Sequence, residues 1–185
     1  LNDMTDVIKK HIIFASNCFT QKKKILAICW GLQVCSTAAG DKVNPGKNGA
    51  HIGIASDVII NNEGKEHFIY KDKKNKFTTP AFNFDEVTEL PKDAILLSSD
   101  KVNNVMGVSF TAGNSEITGL QYHPDYEYYQ MINLIAGRKE RLFNNKNFLD
   151  EEDYEKHIKY IKSESKLLNF NDRTCEVTNW LNHIK

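Results

Sequence analysis

Several signatures are missing from this chain, and each absence closes a class of function. Lys plus Arg and Asp plus Glu both number 24, so the formal net charge is zero. A nucleic-acid-binding domain normally carries a basic surplus, so no nucleic-acid partner is expected. No apolar run reaches the length of a bilayer span, and no charged-then-apolar signal peptide is visible, so no membrane partner is expected either. The four cysteines (Cys18, Cys29, Cys35 and Cys175) contain no C-x-x-C pair, and the six histidines contain no H-x-x-x-H pair. That argues against a structural zinc site and against a disulfide framework. No metal and no other cofactor is implied. A G-x-x-x-x-G-K-[ST] loop is also missing, so the chain shows no nucleotide-binding synthetase of its own. Free thiols persist in reducing compartments, which makes the cytoplasm the expected location.

What is present fits a globular α/β domain. The chain has 185 residues, of which 41% are hydrophobic, enough to bury a sizeable core. Ile8, Ile12, Ala15 and Phe19 recur at helical spacing and predict a helix over Thr5 to Phe19. The run Ile25 to Ile28, entered through Lys22-Lys23-Lys24, predicts a buried strand. A helix is expected from Leu32 to Ala39, ending at Gly40. Further strands are expected at Ile52 to Ile60, Ala94 to Ser98, Val105 to Phe110 and Ile117 to Tyr122, with a short element at Glu66 to Tyr70. Pro80 to Phe84 reads either way. Past Gly137 charge and Asn rise, and Leu, Phe and Tyr recur at helical spacing through Ile161; a last helical piece spans Cys175 to His183. The division expected is 1–136 as the α/β domain and 137–185 as a helical extension packed on it.

Two residues stand where chemistry is done. Cys29 sits between an apolar strand and a helix, with Gly31 just beyond it. A helix N-terminus offers unpaired N–H groups and the positive end of a dipole, and both stabilise a thiolate, the nucleophilic form of cysteine. The turn resembles a nucleophile elbow, in which the N–H of Trp30 can face a developing oxyanion. Gly31 is expected to permit the tight turn and close helix packing. A free cysteine is also commonly a small buried hydrophobe, the reading retained for Cys18, Cys35 and Cys175. His123 follows a strand candidate, at the sheet end where ligands bind in α/β proteins. Its ring could serve Cys29 as base and then as acid, with Asp125 holding one tautomer. A loop histidine that is only exposed or hydrogen-bonded is the alternative.

These residues resemble the class I glutamine amidotransferases, a family of flavodoxin-like fold. Its Cys-x-Gly-x-Gln elbow stands here as Cys29-Trp30-Gly31-Leu32-Gln33. Its Gly-x-Gln-x-His-Pro-Glu strand end stands as Gly119-Leu120-Gln121-Tyr122-His123-Pro124-Asp125. Between them, Phe84-Asp85-Glu86-Val87-Thr88-Glu89-Leu90-Pro91 resembles the family's segment before a Leu-Pro turn. Gly49 to Asp57 and the tail from Asn171 to Leu181 are similar to stand-alone proteins resembling the amidotransferase domain of GMP synthase. The resemblance implies that Cys29 attacks the side-chain amide of glutamine, His123 acts as base and acid, and Asp125 orients His123. Trp30 would supply a backbone oxyanion donor, and Gln33 and Gly31 would contact substrate. The products would be glutamate and ammonia, the latter passed to a synthetase partner.

Three departures carry expectations of their own. Asp125 stands where the family has Glu; one methylene shorter, it reaches His123 only if the backbone shifts, and Glu127 lies nearby at another offset. Asn83 or Phe84 occupies a place that usually carries His. The chain also starts at Leu1, near the helix that follows the family's second strand, and reads as N-terminally truncated. The loop that supplies the second oxyanion donor would then be missing, at a cost of about 100- to 1000-fold in rate. The unpaired edge left at Ile25 to Ile28 would invite aggregation. Two other functions fit the same residues: hydrolysis of a different γ-glutamyl amide, and a catalytically degenerate binding or regulatory domain.

Overall fold

Apolar side chains alternating to both sides of a strand require cover on both faces of the sheet, and the chain supplies it with helices. The computed structural model describes residues 1–185. In chain order the elements are α1 (Asp6–Phe19), β1 (Lys24–Ile28), α2 (Trp30–Ala38), β2 (Val43–Pro45), β3 (His51–Ile52), β4 (Ala55–Ile60) and α3 (Asn62–Glu66). A 3-10 turn (Phe68–Tyr70) leads to β5 (Lys76–Thr79), β6 (Phe82–Asn83), β7 (Asp85–Val87), β8 (Ile95–Ser99), β9 (Gly107–Ala112) and β10 (Ser115–Leu120). Four helices close the chain: α4 (Tyr128–Ala136), α5 (Lys139–Asn144), α6 (Glu151–Ser165) and α7 (Phe170–His183).

The main sheet has six strands in the order β1-β10-β9-β8-β4-β5. Only β1 and β10 run parallel; the other pairings are antiparallel. The strand carrying the elbow therefore lies at one edge of the sheet, beside the strand that leads to His123. On one face, Ala27, Val108, Phe110 and Ile117 pack with Ala15 and Phe19 of α1 and Leu32 and Val34 of α2. On the other, Val58, Leu97, Met106 and Leu120 pack with Ile69 and Tyr70 of the 3-10 turn, and Trp180 of α7 lies against them. A third cluster joins Ile52 and Ile54 to Tyr128, Ile135, Leu142, Tyr154, Ile158 and Ile161 of α4, α5 and α6.

Local chemistry explains the boundaries. The hydroxyl of Thr5 accepts from Ile8 N and starts α1, and Asp150 and Asn169 cap α6 and α7 in the same way. The strand expected over Ile52 to Ile60 is divided in two. Gly53, at φ +84, breaks it, and a Cβ there would lie 2.6 Å from Ile135 Cδ1 and 3.0 Å from Ile161 Cδ1. Helices α4 and α6 thus come down onto bare backbone at this point. β3 pairs with β6 and β4 joins the main sheet. The segment read as ambiguous, Pro80 to Phe84, contains β6, and β5 forms without an alternating pattern to announce it. No helix is long and apolar enough to cross a membrane.

Candidate active site

The parallel register of β1 and β10 builds the site. Ile28 lies opposite Leu120, so both strands end at the same level and the next residues, Cys29 and Gln121, emerge together. Cys29 N donates to Leu120 O at 2.7 Å and extends the ladder by one bond. The chain then turns abruptly. Cys29 adopts φ 47 and ψ −101, the left-handed side of the map that non-glycine residues rarely enter. Helix α2 begins at the next residue, Trp30, two positions before the expected start, and no side chain caps it. Its first N–H groups are therefore unclaimed by side chains next to the sulfur.

Gly31 was expected to make the turn. It lies instead inside α2, where an added Cβ would meet only Ala27 Cβ at 3.9 Å, an ordinary contact. The strained residue is Cys29 itself. The glycine that admits α2 is Gly119, where a Cβ would lie 2.4 Å from Leu32 Cδ1.

A cleft of about 550 Å³ opens at Cys29, with Trp30, Gln33, Asn83, Asp85 and Arg141 among its lining. Trp30 is partly exposed, and its indole Nε1 donates to His11 Nδ1 at 3.2 Å. Gln33 is buried, and its Nε2 donates to Asp85 O at 2.9 Å. Asn83 stands at the cleft wall and likewise donates to Asp85 O, at 3.0 Å.

His123 follows β10 and is pinned by a bond from its N–H to Pro80 O at 2.8 Å. The sequence left it open whether Asp125 reaches this ring; it does, with Asp125 Oδ1 3.1 Å from Nδ1. The other carboxylate, Glu127, begins α4 in a capping box with Gln130 and lies 3.4 Å from Arg173. Burial pulls the His123 pKa down, but hydrogen bonding to Asp125 and interaction with the Cys29 side chain outweigh it and raise the value to about 9. Asp125 is shifted the other way. Burial raises it, and the His123 hydrogen bond and charge, with a contribution from Arg173, bring it below the ordinary carboxylate value.

Support for the His123 segment comes from far along the chain. Arg173 of α7 is buried and donates from Nη1 to Pro124 O at 3.0 Å. Glu176, fully buried, accepts from Tyr122 Oη at 2.6 Å and pairs with the buried Lys73 at 3.0 Å. None of these three was legible as a site neighbour, because the contacts join positions about fifty residues or more apart. Gln121 was missed too, although a polar residue between buried Leu120 and Tyr122 is itself a signal. Its Nε2 lies 3.6 Å from the Cys29 sulfur. No cluster of His, Cys, Asp and Glu has the geometry to hold a metal.

Comparison with known proteins gives the family and the fold. The chain is 25% identical over 194 residues to γ-glutamyl-L-1-hydroxyisopropylamide hydrolase of a Pseudomonas species, covering 95% of this chain and 65% of that protein. It is 32% identical over 135 residues to γ-glutamyl peptidase 5 of Arabidopsis thaliana, covering 72% of this chain and 50% of that one. It is also 30% identical over 125 residues to a glutamine-hydrolyzing GMP synthase subunit of Methanococcus vannielii, with 65% and 62% covered. The chain thus spans half to two thirds of the length of these relatives. Its fold matches the crystal structure of a glutamine amidotransferase from Thermotoga maritima with a TM-score of 0.68 at 21% identity, over 96% of this chain and 69% of that one. That is the flavodoxin-like fold of the family. Residues 2–135 match the family model for glutamine amidotransferase class-I, and the chain belongs to that family.

Proposed function

We propose that Cys29 and His123 hydrolyse the side-chain amide of glutamine to glutamate and ammonia. The observation that carries this reading is the strained turn. It holds Cys29 at the uncapped start of α2, beside a histidine whose far nitrogen is braced by Asp125. A residue held at φ 47 needs a structure that over-determines it, and such strain clusters at reactive sites.

The chemistry follows from the charges. With a pKa of about 9, His123 carries a proton at neutral pH and can hand it to a departing amine. The Cys29 thiolate attacks the γ-carbonyl carbon, and its electron pair makes the C–S bond while the carbonyl electrons move to oxygen. The N–H of Trp30 faces that oxyanion. The intermediate collapses, the C–N bond breaks, and His123 Nε2–H protonates the nitrogen, leaving a thioester. Neutral His123 then removes a proton from water, hydroxide adds to the thioester, and the thiolate leaves. Asp125 holds the ring through both transfers. Gln33 shapes the cleft wall, its amide being committed to Asp85 O. Ammonia released this way serves a synthetase, which must be supplied by a partner outside these residues.

One observation favours a second reading, that the substrate is a substituted γ-glutamyl amide. The relative matched over 95% of this chain is named for hydrolysing one. The scissile bond is alike, so the same steps apply with an amine in place of ammonia.

The test is amine release by the protein that carries this chain, on glutamine and on γ-glutamyl peptides and alkylamides, beside Cys29→Ala. Glutamine turnover lost in the variant supports the first reading. Turnover of conjugates alone moves the assignment to the second. No turnover together with an unreactive Cys29 leaves a binding or regulatory domain and sinks both.

A further inference from the structure

A buried row of polar side chains connects the Cys29 sulfur to Asp100, and its hydrogen-bond directions can be read from one end. The carbonyl of Asp85 can only accept. It faces Gln33 Nε2 at 2.9 Å and Asn83 Nδ2 at 3.0 Å, which sets both amides with nitrogen toward Asp85. Asn83 Oδ1 then faces His51 Nδ1 at 3.0 Å, so that ring nitrogen is the donor. The Asp100 carboxylate can only accept, so His51 Nε2 donates to its Oδ2 at 2.8 Å, and with both ring nitrogens donating the pair is a charged one. The other oxygen of Asp100 is held by Val102 N at 2.9 Å and Asn103 N at 2.7 Å. In the opposite direction, the second proton of Gln33 Nε2 points to Gln121 Oε1 at 3.4 Å. With its oxygen occupied, Gln121 presents Nε2 to the sulfur, 3.6 Å away. His51, Asn83, Gln33 and Gln121 are 3%, 6%, 4% and 0% exposed, so water has little access to offer these amides another partner.

We propose that Gln121 is a catalytic residue whose amide donates to the Cys29 sulfur, and that Gln33, itself oriented by the Asp85 carbonyl, holds this amide the right way round. The proposal rests on Cys29 being the nucleophile. A donor at the sulfur acts twice. It stabilises the thiolate before attack, and it stabilises the same charge when the thioester carbon–sulfur bond breaks and the electron pair returns to sulfur. His123 alone would lose its charge at the moment it protonates the amine, whereas the amide donor keeps its polarity throughout. Gln33 is a positioning residue, because it acts through Gln121. The charged and titratable groups around the sulfur are His123, with Asp125 behind it, and Asp3, Asp85 and Arg141 along the cleft.

The experiment is alkylation of Cys29 by iodoacetamide across pH, read by mass spectrometry of the Cys29 peptide, which needs no substrate. Gln121→Met is expected to slow alkylation at neutral pH by about 10-fold and to move the profile up by about one pH unit. Gln121→Glu keeps the shape and the Gln33 contact but puts a carboxylate at the sulfur, so it moves the profile further in the same direction. Gln33→Leu, one link away, frees the Gln121 amide to turn and moves it the same way by less. Circular dichroism and the urea midpoint establish that each variant is folded, and Gln121→Glu stands in if Gln121→Met is not. An unmoved profile in Gln121→Glu or in Gln33→Leu overturns the proposal. A parent protein with an unreactive Cys29 overturns the nucleophile assignment as well, so the two failures are distinguishable.

Discussion

Cys29 and His123 sit at the ends of neighbouring strands, but they are held in different ways. The Cys29 side is contiguous. Strand β1, the turn and the first residues of α2 follow one another, with Gly119 letting Leu32 approach β10 and Leu120 O accepting from Cys29 N. The His123 side is held from a distance. His123, Pro124 and Asp125 form no regular element, and the segment is fixed by Pro80 O, by Arg173 on Pro124 O and by Glu176 on Tyr122 Oη. Two neighbouring side chains are thus placed, one by a strand, its turn and the paired strand beside it, the other by the last helix of the chain.

That contrast can be broken most forcefully at Glu176. Glu176→Ala leaves Lys73 buried without its counter-charge, with only Asp172 O to donate to, and Tyr122 with only Tyr70 Oη, and should cost about 3–5 kcal/mol in urea unfolding. Under conditions where the variant remains folded, alkylation of Cys29 should be unchanged while amide hydrolysis falls. Parallel loss of both would mean that the two sides share one support. The next largest effect belongs to Asp125→Asn, which keeps the shape but removes the charge that raises His123. Hydrolysis at neutral pH should drop about 100-fold, and the alkaline limb of the rate profile should move to lower pH. Gly119→Ala tests the local side. Its methyl group would press on Leu32 and cost about 1–3 kcal/mol, with a change in Cys29 alkylation that the α7 variant does not show.

The gentlest test is pH. The folded pKa of His123, about 9, lies above its ordinary value of 6.5, so the folded state binds the extra proton between those limits. The contribution is complete below 6.5 and fades as pH rises through 9, at no more than about 1.4 kcal/mol per pH unit. Urea midpoints from pH 6 to 10 should show this decline in the parent and a weaker one in Asp125→Asn. Equal slopes would remove Asp125 as the cause.

Legibility in the sequence follows the same division. Cys29 and the strand before it were readable because an apolar run meeting a helix is a local pattern. The strand ending at His123 was readable for the same reason. Gly31 was credited with a turn that Cys29 makes, since glycine is the usual sign of a left-handed residue and a strained cysteine leaves none. Ile52 to Ile60 read as one strand because the helices that approach Gly53 come from beyond residue 127. Whether Asp125 reaches His123 depended on a backbone path that no composition encodes. His51 and Asp100 were silent for another reason, and Gln121 and Asn83 were named only as motif positions with no contact assigned to them. Each is an ordinary polar residue, and only the pairing of β3 with β6 and of β1 with β10 brings them into one row.

The parallel register of β1 against β10 also works as a ruler. Cys29 and Gln121 are 92 positions apart in the chain, yet they meet because five paired residues on each strand count to the same level. One residue added between Lys24 and Cys29, or between Ser115 and His123, would displace sulfur from ring by about 3.3 Å and turn a side chain to the opposite face. Residues added in the loop before β8 would change neither count. Changes of length are therefore excluded from two short stretches, which together set the distance between the Cys29 sulfur and the His123 ring.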